Sequence, residues 1–305
     1  MDNSTPIKIE PWFLPFDSIV IITLSLSIIL GLIFLLIVIT HRRCWSTSML
    51  LICNSCLAEV LLSCVLLSMA VFTFDNDLKQ KTGNISFCVT LGFLCYVTDV
   101  MQNYSYLLIA IYRYMSVVHP NRILWQSTKF QIGLIIGQWI FSIVYALPLF
   151  INNQIVYNVD NQICQVPLRL SVTMIYMAIV LYMIPNLSIL CLYLKLVRYV
   201  QKISKRTTLA NSLFHARREL KLIERTLILS NTLIILGLPY AVFVIMSFFT
   251  PPPKYHFRIA YISVDIAVLS IMIMIHHFTQ QTKEIIQKTF FRSNAVLPGQ
   301  DTARK

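Results

Sequence analysis

The chain reads as an all-α membrane protein, a seven-transmembrane helix bundle with a short amphipathic helix after the seventh span. Three observations predict it. Of 305 residues, 57% are hydrophobic and only 12% are charged, about half the charged share of an ordinary soluble domain. The apolar residues gather into seven blocks, each long enough for the roughly 20 helical residues that cross a hydrocarbon core. The Lys and Arg residues fall mainly on one side of those blocks. Ten-residue alternating segments, which a transmembrane barrel would show, are absent from the sequence. In lipid the backbone must satisfy its own hydrogen bonds, so the blocks are expected to be helices.

The blocks lie at 18–41, 47–73, 86–118, 130–150, 170–199, 222–249 and 258–279. With residues 1–17 outside the cell, the inner loops and tail hold 19 Lys and Arg residues and the outer side holds six. This is the positive-inside distribution. It accounts for the net charge of +12 through topology and contact with anionic lipid, with no nucleic-acid ligand implied.

Each element can be justified in turn. The first 16 residues are polar and acidic and lack the basic start of a cleaved signal peptide, so the first span is expected to act as a signal anchor. Asn3 and Asn84 head sequons that this topology places outside, as glycosylation sites. The sequons at Asn103 and Asn186 fall within spans, out of a glycosyltransferase's reach. Of eight cysteines, Cys88 and Cys164 face the oxidising side near the membrane and are the expected disulfide pair. Cys164 belongs to the longest outer loop, 151–169, whose NNQIVYNVDNQICQV has a strand-like pattern. The inner loop before the sixth span is the most basic segment, and its KLVRYVQKISKR and FHARRELKLIERT stretches are expected to extend the fifth and sixth helices into the cytoplasm. After the last span, TQQTKEIIQKTFFR sets Ile285, Ile286 and Phe290 among Lys283, Lys288 and Arg292, a helix suited to the inner leaflet. The chain thus divides into an extracellular N-terminus (1–17), a membrane domain (18–279) and a cytoplasmic amphipathic helix and tail (280–305).

Three carboxylates lie well inside spans: Glu59, Asp99 and Asp265. Intramembrane acids face the bundle interior and are functional candidates by default. Asp99 lies 11 residues past Cys88, so about 16 Å further along the helix axis. Asp99 and Asp265 have two readings. Either meets a cationic group on a ligand, or it pairs internally. For internal pairing the candidate is Arg258, seven residues before Asp265 on roughly the same helical face. Tyr96 and Tyr240, near the outer ends, are candidate pocket walls, with ordinary packing as the alternative.

A set of spaced motifs then resembles the rhodopsin-like (class A) family of G-protein-coupled receptors over nearly the whole chain. Arg113 follows Cys88 by 25 residues in Tyr112-Arg113-Tyr114, which resembles the family's Asp/Glu-Arg-Tyr triplet with the acid replaced. His119-Pro120, Trp139 with Pro148 nine residues on, Pro185 with Tyr193 eight residues on, and Pro239 keep the family's mutual spacing. NSCLAE at 54–59 is similar to Asn-Leu-Ala-x-x-Asp, with Glu59 in the acid's place. There are departures. Leu32 stands for the first span's asparagine, Gly237 for the sixth span's tryptophan, and Met274-Ile275-His276-His277-Phe278 for Asn-Pro-x-x-Tyr.

The resemblance implies a plasma-membrane receptor with its N-terminus outside. It would bind an extracellular peptide or small molecule between the outer helix ends and pass the signal to a heterotrimeric G protein. It implies that Arg113 is held at rest by Glu219, 20 residues before Pro239, with Tyr193 packing beside it on activation. It also implies a candidate sodium site at Glu59, with Thr98, Gln102 and Ser270 as neighbours. These would ligate the ion or hydrogen-bond a protonated Glu59. No other metal or cofactor is implied, and the seventh span contains no lysine for a retinal Schiff base. A transporter or channel is the alternative, though no repeat divides the seven spans into halves. An enzyme is the least supported class, since His276 and His277 have no metal-site spacing.

Overall fold

The computed structural model describes residues 12–40, 46–79, 83–168, 171–206 and 253–278, and between the last two ranges residues 220–221, 224, 227–232, 234–247 and 249–250. Six helices are long and apolar enough to cross a membrane, and a bent helix pair makes a seventh span if taken as one. The first three are α1 (Phe13–Thr40), α2 (Thr47–Lys79) and α3 (Ile85–Val118). A short α4 (Ile123–Gln126) follows, then α5 (Thr128–Ile151) as the fourth span. The outer loop after α5 forms an antiparallel hairpin of β1 (Val156–Asn158) and β2 (Ile163–Gln165). The fifth span is α6 (Val172–Met177), a π-helical segment (Ala178–Met183) and α7 (Ile184–Arg206). The bent pair is α8 (Leu227–Leu236) and α9 (Leu238–Met246), and α10 (His256–Phe278) is the last span.

The packing separates lipid from interior by residue size and polarity. On α1 the buried stripe Ser27, Gly31, Phe34 and Val38 faces α2 and α10, while Ile22, Leu26, Ile29, Ile33 and Leu36 stay exposed. Lipid is as apolar as leucine, so close packing and interhelical hydrogen bonds hold such helices together. Gly31 lets α1 approach Val60 and Met272, and Ser27 shares a hydrogen bond of 3.2 Å with Ser63. The buried α3 sits centrally against α2, α5, α7 and the hairpin.

Three devices set the shape that matters for the site. First, Pro185 lacks the N–H that would close the preceding helical turn, and the chain answers with the π-helical segment. The Val180 carbonyl there accepts a hydrogen bond from the Tyr104 hydroxyl at 3.0 Å, tying the bulge to α3. Second, α8 and α9 meet at 45° beside Gly237 and Pro239, the residues that most readily break a helix. Ser230 is nevertheless hydrogen-bonded to Asn186 of α7. Third, Asn54 donates to Gln138 at 3.1 Å and accepts from Trp139 at 2.9 Å, while Gln138 donates to the Met101 carbonyl at 2.6 Å. These buried amides satisfy one another and fix α5 against α2 and α3.

The structure starts the first helix earlier than the apolar block does, at Phe13, so Asp17 lies within α1. The amphipathic segment expected in 280–305 lies outside the described residues, as does Asn3. Asn84 is exposed, and its side-chain oxygen accepts from the Ser86 and Phe87 amides as the N-cap of α3. That capping uses Oδ1 and leaves Nδ2, the atom a glycan would take, outside the cap.

Candidate functional site

At the outer end the hairpin is a fixed lid. Cys88 of α3 is disulfide-bonded to Cys164 of β2, with Cα atoms 5.5 Å apart. Opposite Cys164, Tyr157 completes the pair across the strands. Five further hydrogen bonds pin the lid. Tyr96 donates to Gln165 at 2.5 Å and accepts from the Val166 amide at 3.0 Å. Thr73 of α2 donates to the Gln162 carbonyl at 3.3 Å. Asn161 donates to the Lys254 carbonyl at 2.9 Å and accepts from the Arg258 amide at 3.2 Å, at the start of α10. The lid lies so close to α3 that a β-carbon on Gly92 would come within 2.5 Å of the Cys164 carbonyl oxygen. Only glycine fits there without moving backbone. Tyr96 therefore holds the lid through its hydroxyl, while Tyr240 packs against the same outer core as a partly buried ring.

Beneath the lid stand the interior acids. Asp99 is half-buried and Asp265 only 3% exposed. Neither carboxylate makes a hydrogen bond or ion pair among the described residues. The internal pairing weighed for Asp265 is not what forms. Arg258 instead places Nη2 2.7 Å from Asp77 of α2 and Nη1 3.2 Å from Asp17 of α1. Its guanidinium lies 4.0 Å from the Phe13 ring centroid, a favourable cation–π geometry. All three charged side chains are at most 10% exposed. With two carboxylates and an aromatic face engaged, Arg258 has no call on Asp265, which lies about 10 Å further along the helix.

In mid-bundle, Glu59 is fully buried. Its Oε2 accepts from the Tyr106 hydroxyl at 3.0 Å and from Gln102. Its Oε1 has no hydrogen-bond partner among the described residues. Of the neighbours expected from sequence, Gln102 is brought to the carboxyl and Thr98 is not. The Thr98 hydroxyl donates to the Leu94 and Cys95 carbonyls of its own helix. Ser270 is half-buried and makes no described hydrogen bond to Glu59. The α1 and α10 sides of the site present Gly31, whose carbonyl the Cys56 thiol approaches at 3.7 Å, and the Met272 thioether. A hard cation needs several oxygen ligands, but the Tyr106 hydroxyl and the Gln102 amide turn their donors toward the carboxyl, the Gly31 carbonyl is approached by a thiol, and Met272 offers only sulfur. The residues present do not fit a sodium ion. The melting temperature and agonist potency of the purified receptor are accordingly expected to be unchanged when sodium chloride replaces choline chloride at equal ionic strength. A sodium-specific shift in either quantity would show that the ion binds.

At the inner end Arg113 is buried, hydrogen-bonded to Ser48 at the start of α2, with its guanidinium 5.9 Å from the Tyr112 ring centroid. Tyr193 of α7 packs with Val117, Leu196, Val200 and Tyr114 in a separate small cluster. Glu219 lies outside the described residues. Sequence reasoning missed Ser48, a hydroxyl with no distinguishing pattern, and it missed Asp17 and Asp77, whose charges read as the ends of spans.

The model of the 7 transmembrane receptor (rhodopsin family) matches residues 31–279. The crystal structure of squid rhodopsin aligns with a TM-score of 0.75 at 18% identity, over 98% of this chain and 94% of that one, a likeness of fold. No curated protein matches the sequence significantly.

Proposed function

Because the chain belongs to the rhodopsin family of seven-transmembrane receptors, we propose that it lies in the plasma membrane with its N-terminus outside and couples an extracellular peptide or small molecule to a heterotrimeric G protein. The family's activity is G-protein-coupled signalling by a multi-pass membrane receptor, not enzymatic catalysis. The observation that carries the ligand reading is the stapled hairpin over an interior holding two carboxylates, Asp99 and Asp265, that have no partner among the described residues. A ligand shifts a receptor only by preferring its active arrangement. A group that supplies those acids with a partner in one arrangement alone meets that condition.

The inner end supports the coupling reading. Arg113 is hydrogen-bonded to Ser48; we read that bond as one resting restraint and assign Glu219 as a second, with Tyr193 closing beside Arg113 when the sixth span moves. An ion pair at a wet helix end is worth about 1 kcal/mol, enough to bias two states several-fold. The test is a screen of amines and peptides on cells expressing the chain, reading Gβγ release across the Gα classes. A response absent from untransfected cells and lost in Arg113→Ala at equal surface expression is the expected result. A ligand that binds the receptor yet drives no Gα class would overturn the reading.

A further inference from the structure

A small cleft of about 50 Å³ lies between α1, α2 and α10 below the hairpin. Its walls are apolar and aromatic, with Phe16, Leu66, Met69, Phe257 and Tyr261 among them. Three acids and one base belong to it or border it. Asp17 and Arg258 line it, Asp77 pairs with Arg258 just beyond, and Asp265 lines its deeper part. Arg258 is already shared between Asp17 and Asp77, so the formal balance of the four groups is two negative charges in excess.

Asp265 is the group without an account. Only 3% of its surface is exposed, and it makes no described hydrogen bond or ion pair. It opens onto the cleft rather than onto lipid. A buried carboxylate is costly unless a partner or a proton neutralises it. The built-in candidate for that role, Arg258, is held elsewhere by two shorter-range partners.

We propose that this cleft is a subsite for a primary ammonium group, with Asp265 as its counterion and the aromatic walls holding the hydrocarbon that carries it. The inference rests on the receptor reading above and names the chemistry of the ligand's anchoring end. A small amine and a peptide amino terminus share that chemistry. An ammonium suits the place because it is a compact donor of three hydrogen bonds, and the rings of Phe16, Phe257 and Tyr261 offer faces that attract a cation. Arg258, paired with two acids, leaves the mouth without excess positive charge that would oppose a cation on its way to Asp265.

The experiment uses the full-length receptor in nanodiscs and follows its thermal unfolding. The probes are methylammonium, benzylammonium and 2-phenylethylammonium, phenylalanylglycinamide for the peptide source, and 2-phenylethanol as the uncharged isostere. At least one ammonium probe is expected to raise the melting temperature at concentrations where 2-phenylethanol has no effect. Asp265→Asn should weaken that probe about tenfold or more, as loss of a charge-assisted hydrogen bond would, and Asp265→Glu should restore part of it. Asp75→Asn, which removes only an exposed partner of Lys79, should leave it unchanged. Stabilisation by the phenylalanyl peptide alone assigns the site to peptide termini, and stabilisation by the free amines assigns it to small amines. No response to any ammonium probe, or equal responses to amine and alcohol, overturns the subsite. Guanine-nucleotide exchange on G protein, measured in the same nanodiscs, separates the two readings. Exchange that persists while every ammonium probe fails leaves the receptor standing and removes only the subsite.

Discussion

Arg258→Met is expected to lower the melting temperature of the solubilised receptor by roughly 10 °C and to remove most of it from the cell surface. The substitution keeps the volume and deletes the charge, leaving Asp17 and Asp77 in place with at most 10% of either side chain exposed. Breaking a buried ion pair by removing one partner costs about 3–5 kcal/mol, because the remaining charge stays desolvated. The loss of the Phe13 cation–π contact adds to it in the same direction. The cause is the orphaned charge and not the missing arginine, so Arg258→Met combined with Asp17→Asn and Asp77→Asn should recover much of the loss. Surface epitope counts and thermal unfolding of the single and triple variants check this. A triple variant no better than the single one would show that the arginine acts by shape or through its backbone contact to Asn161.

Arg113→Ala is expected to abolish coupling while the protein still reaches the surface and keeps its outer-end binding. Arg113 sits at the inner end of α3, more than 20 residues from the lid that Cys88 anchors. Its side-chain contacts include the Ser48 hydrogen bond and the Tyr112 ring, which contribute to stability on the order of 1 kcal/mol each. Loss of those contacts leaves the helices packed. What disappears is the cation that the coupling proposal assigns to the G protein. Ser48→Ala removes the resting hydrogen bond and keeps the arginine, so its effect should have the opposite sign, a rise of a few-fold in ligand-free signalling. Bioluminescence reporters of Gβγ release, normalised to surface expression, distinguish the two variants.

Much of this architecture was legible in the sequence, and the physical reason is periodicity and charge. Long apolar runs leave little choice of structure in lipid, so the span assignment needed no partner information. Topology then left Cys88 and Cys164 as the cysteines on the oxidising side, and the structure joins them. The strand-like pattern of the outer loop is met by the hairpin of Val156–Asn158 and Ile163–Gln165. Pro185 and Pro239 were legible only as spaced motif prolines, and that spacing did not say that a π-helical segment would precede one and a 45° bend would lie beside the other.

What remained hidden depends on partners far apart in the chain. Asp17 and Arg258 are 241 residues apart, and nothing local to either says which acid the arginine will take. The shared helical face favoured Asp265, whereas three-dimensional packing put Asp17 and Asp77 closer. Tyr96 is similar: an aromatic near the outer end reads as a pocket wall, yet its hydroxyl holds Gln165 and Val166 of the lid. At Glu59, Gln102 was foreseeable from its place on α3. The Tyr106 hydroxyl and the self-satisfied Thr98 depend on rotamers that no spacing rule supplies.

The most direct test of the receptor reading needs no ligand. Full-length wild type, Glu219→Ala and Glu219→Ala with Arg113→Ala are placed in nanodiscs, and basal guanine-nucleotide exchange is measured on purified heterotrimers of each Gα class. Release of the restraint on Arg113 predicts that Glu219→Ala raises exchange several-fold over wild type on at least one class, and that adding Arg113→Ala returns it to the rate of empty nanodiscs. Exchange by Glu219→Ala equal to wild type on every class, or exchange that survives the loss of Arg113, would contradict the account.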